Sequence, residues 1–152
     1  MRWSHVGLNC QDQKQTEEFY TRWFGFTRAR TVPVLGGEIV FLRNADAYLE
    51  LFPADPQGAT AGQGDGPATP GTVRHLAFQT DDVDAFLQRL GDQAQITLGP
   101  LAFDDFICGW RTVWLRDPDG AIVEVSQGYV DPDPDPDPDP DPDRDRDQRT
   151  GA

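Results

Sequence analysis

The two histidines and two of the glutamates of this chain have residue types and a spacing that could support chemistry. His5 and His75 are its only histidines and stand 70 positions apart, while Glu50 and Glu124 stand 74 positions apart. Imidazole nitrogens and carboxylate oxygens suit a divalent Zn, Ni, Co, Mn or Fe ion better than Ca or a metal that prefers thiolates. Four such ligands leave two positions of an octahedral shell for water or for two adjacent oxygens of a substrate.

These four residues lie in short segments that are predicted to be β-strands. The segments are SHVGLNC, AYLELF, RHLAF and AIVEVSQ. Because strand side chains alternate between two faces, each His or Glu shares its face with small or polar residues, and the opposite face is wholly apolar. The apolar faces are suited to cover by helices. We therefore predict that the other faces form a site, in which Asn9, Tyr48, Gln79 and Ser126 contact the substrate.

The order of predicted elements repeats along the chain, which indicates an internal duplication. Residues 1–52 contain a strand, then the helix DQKQTEEFYTRWFG and three further strands, and residues 72–130 repeat this order with the helix DDVDAFLQRLG. Asp81 or Asp82 can cap the second helix. A stretch rich in Gly, Pro and Ala, 53–71, is predicted to be a flexible loop between the two modules. The sequence thus predicts one α+β domain over 1–130.

The charge of the chain is strongly negative and excludes some classes of partner. The net charge is −13, and no segment is basic, so we expect no nucleic acid partner. The tail 131–152, with its alternating Asp and Pro, is predicted to be disordered. No apolar run has the length of a membrane span, and the first residues lack a secretory signal. With only two cysteines, these features predict a cytoplasmic protein that does not bind membranes.

Several of these segments resemble the vicinal oxygen chelate superfamily, which includes glyoxalase I, methylmalonyl-CoA epimerase, extradiol dioxygenases and bleomycin or fosfomycin resistance proteins. The matching stretches are HVGLNCQDQKQTEEFYTRWFGF, YLELF, RHLAFQTDDVDAFLQRL and RDPDGAIVEV. The resemblance implies two βαβββ modules whose curved mixed sheets surround a metal cavity, with the helices on the outer face. It also implies a homodimer.

The positions of His5, Glu50, His75 and Glu124 are similar to those of the four metal ligands in glyoxalase I-like members. The resemblance implies one divalent metal ion per site and an isomerase that removes a proton next to a carbonyl through a metal-stabilised enediolate. Glu50 and Glu124 are then the catalytic acid and base. An epimerase of a small hydroxy-ketone or of a sugar-like or cyclitol-like substrate is the main expectation.

Three alternatives remain open at this point: a glyoxalase-type lyase, an Fe(II) extradiol dioxygenase, which does not need Glu50, and an antibiotic-binding resistance protein. Asn9 stands where glutathione-dependent glyoxalases usually carry an Arg, which argues against glutathione. The segment FDDFICGWR, 103–111, is a candidate lid, and Trp110 and Arg111 within it are candidate substrate contacts. The resemblance allows a site built within one chain or across two.

Overall fold

Each half of the chain folds into a four-stranded sheet with one α-helix against it, as the duplicated sequence pattern predicts. The structure is a computed structural model and describes residues 2–55 and 61–130. The tail 131–152, predicted to be disordered, lies outside the described residues, as do Met1 and 56–60 of the predicted loop. Within the described part of the chain, neither helix is long and apolar enough to cross a lipid bilayer.

The first module contains one helix and four strands: β1 (His5–Cys10), α1 (Gln13–Trp23), β2 (Thr27–Val34), β3 (Gly37–Asn44) and β4 (Ala47–Pro53). The second module repeats this order with one added helical turn: β5 (Leu76–Gln79), α2 (Val83–Leu90), a 3-10 turn (Gly91–Gln93), β6 (Ile96–Ala102), β7 (Arg111–Arg116) and β8 (Ile122–Gln127). The predicted α+β class with two βαβββ modules is confirmed.

The two sheets have the same topology. Their strand orders are β1-β4-β3-β2 and β5-β8-β7-β6. In each sheet the first strand runs parallel to the last and the other neighbours are antiparallel, so both sheets are mixed. As a result, the strand that begins at His5, or directly after His75, pairs with the strand that carries the Glu of the same module.

Aspartates begin both helices. Asp12 accepts hydrogen bonds from the backbone N–H groups of Lys14 and Gln15 at 3.0 and 3.2 Å. Asp82, and not its neighbour Asp81, caps α2 by accepting from Ala85 N at 2.9 Å. Each cap satisfies backbone donors that the first helical turn leaves without a partner.

The helix-facing sides of both sheets are buried in one apolar core. This core includes Leu42 and Leu51 of the first sheet and Val113 and Val125 of the second. Phe24, which follows α1, packs against Phe78 of β5 and Phe86 of α2, with ring centroids 4.8 and 5.6 Å away. The opposite side of each sheet, here called its open face, carries the alternate residues, including the four candidate ligands.

A buried polar contact joins the two modules beside this core. The predicted turn DPDG, 117–120, lies between β7 and β8, and its Asp117 is 2% exposed. The hydroxyl of Tyr20 in α1 donates to Asp117 Oδ2 at 3.0 Å. Next to it, Asp119 accepts from the hydroxyl of Thr16 and, at 2.7 Å, from the backbone N–H of Gln11. Burial raises the pKa of Asp117 to about 6, although the hydrogen bond from Tyr20 lowers it, and the nearby Asp119 charge contributes to the rise.

The described part of the loop between the modules, 61–71, is bound to the second module. The N–H of Gly62 donates to Gly120 O at 2.7 Å, and Arg116 Nε donates to Gly62 O at 3.1 Å. The hydroxyl of Thr97 donates to Gly64 O at 2.6 Å. These contacts hold the loop that precedes β5 against the second sheet.

The raised pKa of Asp117 predicts an unusual pH dependence of stability. Because the folded state keeps the proton up to about pH 6 and an unfolded aspartate releases it near 3.8, this group stabilises the fold below the unfolded pKa and loses that contribution as the pH rises through 6. Asp117→Asn removes the titration. Between pH 7 and 4, the wild type should therefore gain up to about 3 kcal/mol in free energy of unfolding relative to Asp117→Asn. Urea unfolding at both pH values measures this difference, and parallel pH profiles would contradict it.

Candidate metal centre

The structure brings each histidine together with the glutamate of its own module. His5 Nε2 lies 3.1 Å from Glu50 Oε2, and His75 Nε2 lies 2.9 Å from Glu124 Oε2. The strand register explains both contacts. Glu50 is opposite Gly7 across β1 and β4, two residues after His5, and Glu124 is opposite Ala77 across β5 and β8, two residues after His75. Each pair therefore lies on the open face of its sheet.

Within each pair, the two donor atoms are spaced so that both could bind the same divalent ion. Nitrogen and oxygen ligands bind such ions at about 2.0–2.2 Å, so two ligands at right angles lie about 3 Å apart. This is the observed separation within each pair. Cys10 offers no thiolate here, because burial raises the pKa of its thiol to about 12 and its strand position faces the core.

The second-module pair is held by neighbouring groups. His75 Nδ1 lies 2.8 Å from the carbonyl oxygen of Asp65. A carbonyl can only accept, so Nδ1 carries a proton, and Nε2 is the ring nitrogen that can bind a metal ion. The hydroxyl of Thr112 donates to Glu124 Oε1 at 3.0 Å and also lies 3.1 Å from Val125 O. Both oxygens of this buried carboxylate therefore have a neighbour: Thr112 contacts Oε1, and the candidate ligand His75 contacts Oε2.

The first-module pair is more open. The side chain of His5 is 43% exposed, against 24% for His75. His5 Nδ1 lies 2.9 Å from the hydroxyl oxygen of Ser4, which can donate or accept, so this contact does not select one tautomer. Among the described residues, His5 is the only side chain that pairs with the Glu50 carboxylate. Glu50 thus has greater freedom to move than Glu124.

The two pairs do not meet within one chain. Across 2–55 and 61–130, no three His, Cys, Asp or Glu side chains lie close enough together to hold a metal ion. The structure therefore presents two half-sites with two donors each, one on the open face of each sheet.

Aromatic side chains surround the second half-site. Trp114, opposite Glu124 in the sheet, has its ring centroid 6.4 Å from that of His75. Trp110 stacks near Phe103 at 4.8 Å and Tyr129 at 5.6 Å. The indole nitrogens of Trp110 and Trp114 are buried and have no hydrogen-bond partner among the described residues. An unpartnered buried donor is costly, so these N–H groups are candidate donors to a bound molecule.

Thr112 and Trp114 were missed by the reasoning from sequence. The alternation within RTVWLR does place both on one side of β7. Only the register shows that this side is the one that carries Glu124, because Thr112 is opposite Ser126 and Trp114 is opposite Glu124.

Most of the predicted substrate contacts lie on the open faces, but Arg111 does not. Asn9 and Tyr48 lie on the open face of the first sheet and Ser126 lies on that of the second, which agrees with the predicted alternation. Gln79, in β5, donates to Tyr129 O at 3.2 Å. Arg111 lies on the helix-facing side of β7, where Asp84 of α2 binds its guanidinium through two hydrogen bonds. Arg111 thus lies on the side of the second sheet opposite to the one that carries Glu124.

Comparison with known proteins relates this arrangement to a large superfamily. Residues 2–125 match the family described as Glyoxalase/Bleomycin resistance protein/Dioxygenase superfamily. No curated protein sequence matches the chain.

Solved structures with the same fold include both enzymes and binding proteins. A glyoxalase/dioxygenase from Nostoc punctiforme has 25% identity over 83% of this chain and 90% of its own, with a TM-score of 0.60. The antibiotic binding protein TnmS3 from a Streptomyces species has 22% identity over 85% of this chain and 98% of its own, with a TM-score of 0.60. The fosfomycin resistance protein FosX from Listeria monocytogenes, complexed with Mn(II) and sulfate, has 17% identity over 85% of this chain and 93% of its own, with a TM-score of 0.62.

The contact between Thr112 and Glu124 predicts a specific effect on metal affinity. Thr112→Val keeps the side-chain shape but removes the donor that orients the carboxylate, so Mn(II) or Zn(II) should bind about 10-fold more weakly. Thr112→Ser keeps the hydroxyl and should restore most of the affinity. Titration calorimetry with the metal alone measures both variants. Equal affinity of the valine and serine variants would contradict the assigned role.

Proposed function

We infer the function of this chain from its family, because it belongs to the Glyoxalase/Bleomycin resistance protein/Dioxygenase superfamily. We propose that it is a divalent-metal-dependent isomerase, specifically an epimerase of a small hydroxy-ketone or of a sugar-like or cyclitol-like substrate. The observation that supports this most is the equivalent placement of a His–Glu pair in each duplicated module, with donor atoms 3.1 and 2.9 Å apart.

We propose that His5, Glu50, His75 and Glu124 together hold one ion, with each site built across two chains of a homodimer. The first half-site of one chain faces the second half-site of its partner. The separation of the two pairs within one chain supports this arrangement. A two-fold axis then creates two identical sites from the same two surfaces.

The bound ion supplies Lewis-acid stabilisation of the negative charge that develops on a substrate oxygen. The proposed epimerisation also needs one group that removes the proton next to the carbonyl and a second, protonated group that delivers another proton to the opposite face. Glu50 is suited to remove the proton, because its carboxylate is bound only by His5 among the described residues. Glu124 is suited to deliver the second proton from the opposite sheet while Thr112 keeps its position, and proton exchange with water restores both carboxyl groups.

A second candidate is a protein that binds an aromatic antibiotic-like molecule without chemistry. The unpartnered indole N–H groups of Trp110 and Trp114, in a wall that includes Phe103, favour this function. It requires no metal ion. Metal content therefore separates the two candidates: one ion per pair of half-sites supports the isomerase, and ligand binding by metal-free protein with no measurable metal uptake supports the second candidate.

Exchange of a carbon-bound proton with solvent tests the chemistry. Zn(II)-loaded protein in D₂O is incubated with hydroxyacetone, dihydroxyacetone and a keto-inositol, and proton NMR follows the C–H signal next to the carbonyl. The wild type should exchange this proton in a metal-dependent way. At saturating metal, Glu50→Gln should slow the exchange by about 100-fold or more.

Glu18→Gln is the matched control for this experiment, because Glu18 is an exposed carboxylate on α1. It should leave the exchange rate unchanged. An unchanged rate in Glu50→Gln would contradict the assignment of the base. Consumption of oxygen with catechol by the Fe(II)-loaded protein would instead identify a dioxygenase.

Mixed dimers test the construction of the site across two chains. His5→Ala and His75→Ala chains each lose one ligand of every site in their own homodimer. After the two variants are unfolded and refolded together, a heterodimer contains one site with all four ligands, and metal binding should return at half of the wild-type stoichiometry per heterodimer. A site within one chain predicts no recovery, because every chain then carries a defect.

A further inference from the structure

A groove of about 630 Å³ lies on the open face of the first sheet, beside the His5–Glu50 pair. Its walls include three arginines, Arg28, Arg30 and Arg43, together with His5 and Tyr48. This is unexpected in a chain with 26 acidic residues and 13 basic ones, since arginines in such a chain have many acidic partners to choose from. The proposed function does not account for this concentration of positive charge.

Two of the arginines point to the same side of the sheet. Arg30 of β2 pairs with Phe41 of β3, and Arg43 lies two residues further along β3 on the same face. They are therefore diagonal neighbours, whose separation is typically about 7–8 Å. Arginine side chains are long enough to converge on one group from this distance.

Of the three arginines, Arg30 and Arg43 have charged ends that are available to a ligand. Arg28 is already bound by Glu17 through two hydrogen bonds. Arg43 uses only Nε, which donates to Ala45 O at 2.7 Å, and its guanidinium carbon lies 5.7 Å from the centre of the Tyr48 ring. Its two terminal nitrogens have no partner in the described part of the chain. Arg30 has no ion pair or hydrogen bond with any described side chain.

The acidic groups near this face do not neutralise the two arginines. Glu50 shares the face but is paired with His5. Glu38 belongs to the same strand as Arg43, but alternation puts it on the opposite side of the sheet. Two like charges on neighbouring strands repel each other unless an opposite charge lies between them. A bound oxyanion removes this repulsion, and the fork of a guanidinium matches its geometry.

We infer that the substrate carries a carboxylate or phosphate group and that Arg30 and Arg43 bind it. The inference rests on the proposed function for the position of the reacting carbonyl. His5, Tyr48 and Arg43 form a row across β1, β4 and β3, so the backbone of Arg43 lies about 10 Å from that of His5. A short carbon chain therefore separates the anionic group from the carbonyl. In this arrangement, Tyr48 holds Arg43 in position, and both arginines determine specificity and take no part in proton transfer.

A matched pair of chelators tests the inference without knowledge of the natural substrate. The monohydroxamate of succinic acid binds a metal through two adjacent oxygens and carries a free carboxylate, and its primary-amide counterpart differs only in lacking that charge. Titration calorimetry with the Mn(II)-loaded full chain measures both dissociation constants. The wild type should bind the acid at least 10-fold more tightly than the amide, and added salt should reduce this ratio.

Single Arg30→Gln and Arg43→Gln substitutions should each lower the ratio, and the double variant should bring it close to 1. The affinity for the amide should stay unchanged. Arg22→Gln is the matched control, because Arg22 lies on α1 over the ring of Trp23 and away from the groove. This variant should keep the wild-type ratio.

Other outcomes separate this inference from the proposed function. A ratio near 1 in the wild type, or one that survives the double substitution, overturns the inference even if Mn(II) binds. An unchanged ratio with a weakened dimer in the double variant also overturns it and assigns the arginines to the subunit interface.

Failure to bind Mn(II) overturns the proposed metal-dependent function and not this inference. Titration of the metal-free protein with inorganic phosphate then tests the arginines alone, and it also tests the phosphate form of the inference. The wild type should bind phosphate at least five-fold more tightly than the double variant, and equal binding overturns the inference.

Discussion

The burial of both helix-facing sheet surfaces in one apolar core is the constraint on which the rest of this structure depends. Phe24 contacts Phe78 and Phe86 of the other module, and the core extends through the valines and leucines of both sheets. Because apolar burial is the dominant favourable contribution to folding, this packing determines which side of each strand faces inward. Polar and ionisable residues consequently occupy the open faces.

The same constraint explains why one chain contains two half-sites. The core joins the modules through their helix-facing sides, and no described cluster of three or more potential ligands forms between the open faces. Two donors bind a divalent ion less securely than four. In our proposal, a second chain supplies the missing pair, so metal binding depends on association of two chains.

The two half-sites differ in ways that suit different tasks. The second has a buried glutamate oriented by Thr112 and a histidine whose tautomer is selected by the carbonyl of Asp65. The first has a more exposed histidine, a less restrained glutamate and the two arginines of the adjacent groove. In our proposal, the second half-site orients the ion and provides Glu124 as the proton donor, and the first adds a mobile base and recognises the anionic end of the substrate.

The sequence by itself determined the modules, the side of each strand on which every candidate ligand lies, and the turn residues, and it limited the cap of α2 to Asp81 or Asp82. These features depend on the two-residue and 3.6-residue periods and on local turn chemistry, which are written in contiguous segments. Only the tertiary structure decided that Asp84 binds Arg111, that Thr112 supports Glu124, that Asp65 selects the form of His75, and that the two His–Glu pairs stay apart. The physical reason is that these contacts depend on strand register and on packing between segments far apart in the chain, and neither leaves a periodic signal in the sequence.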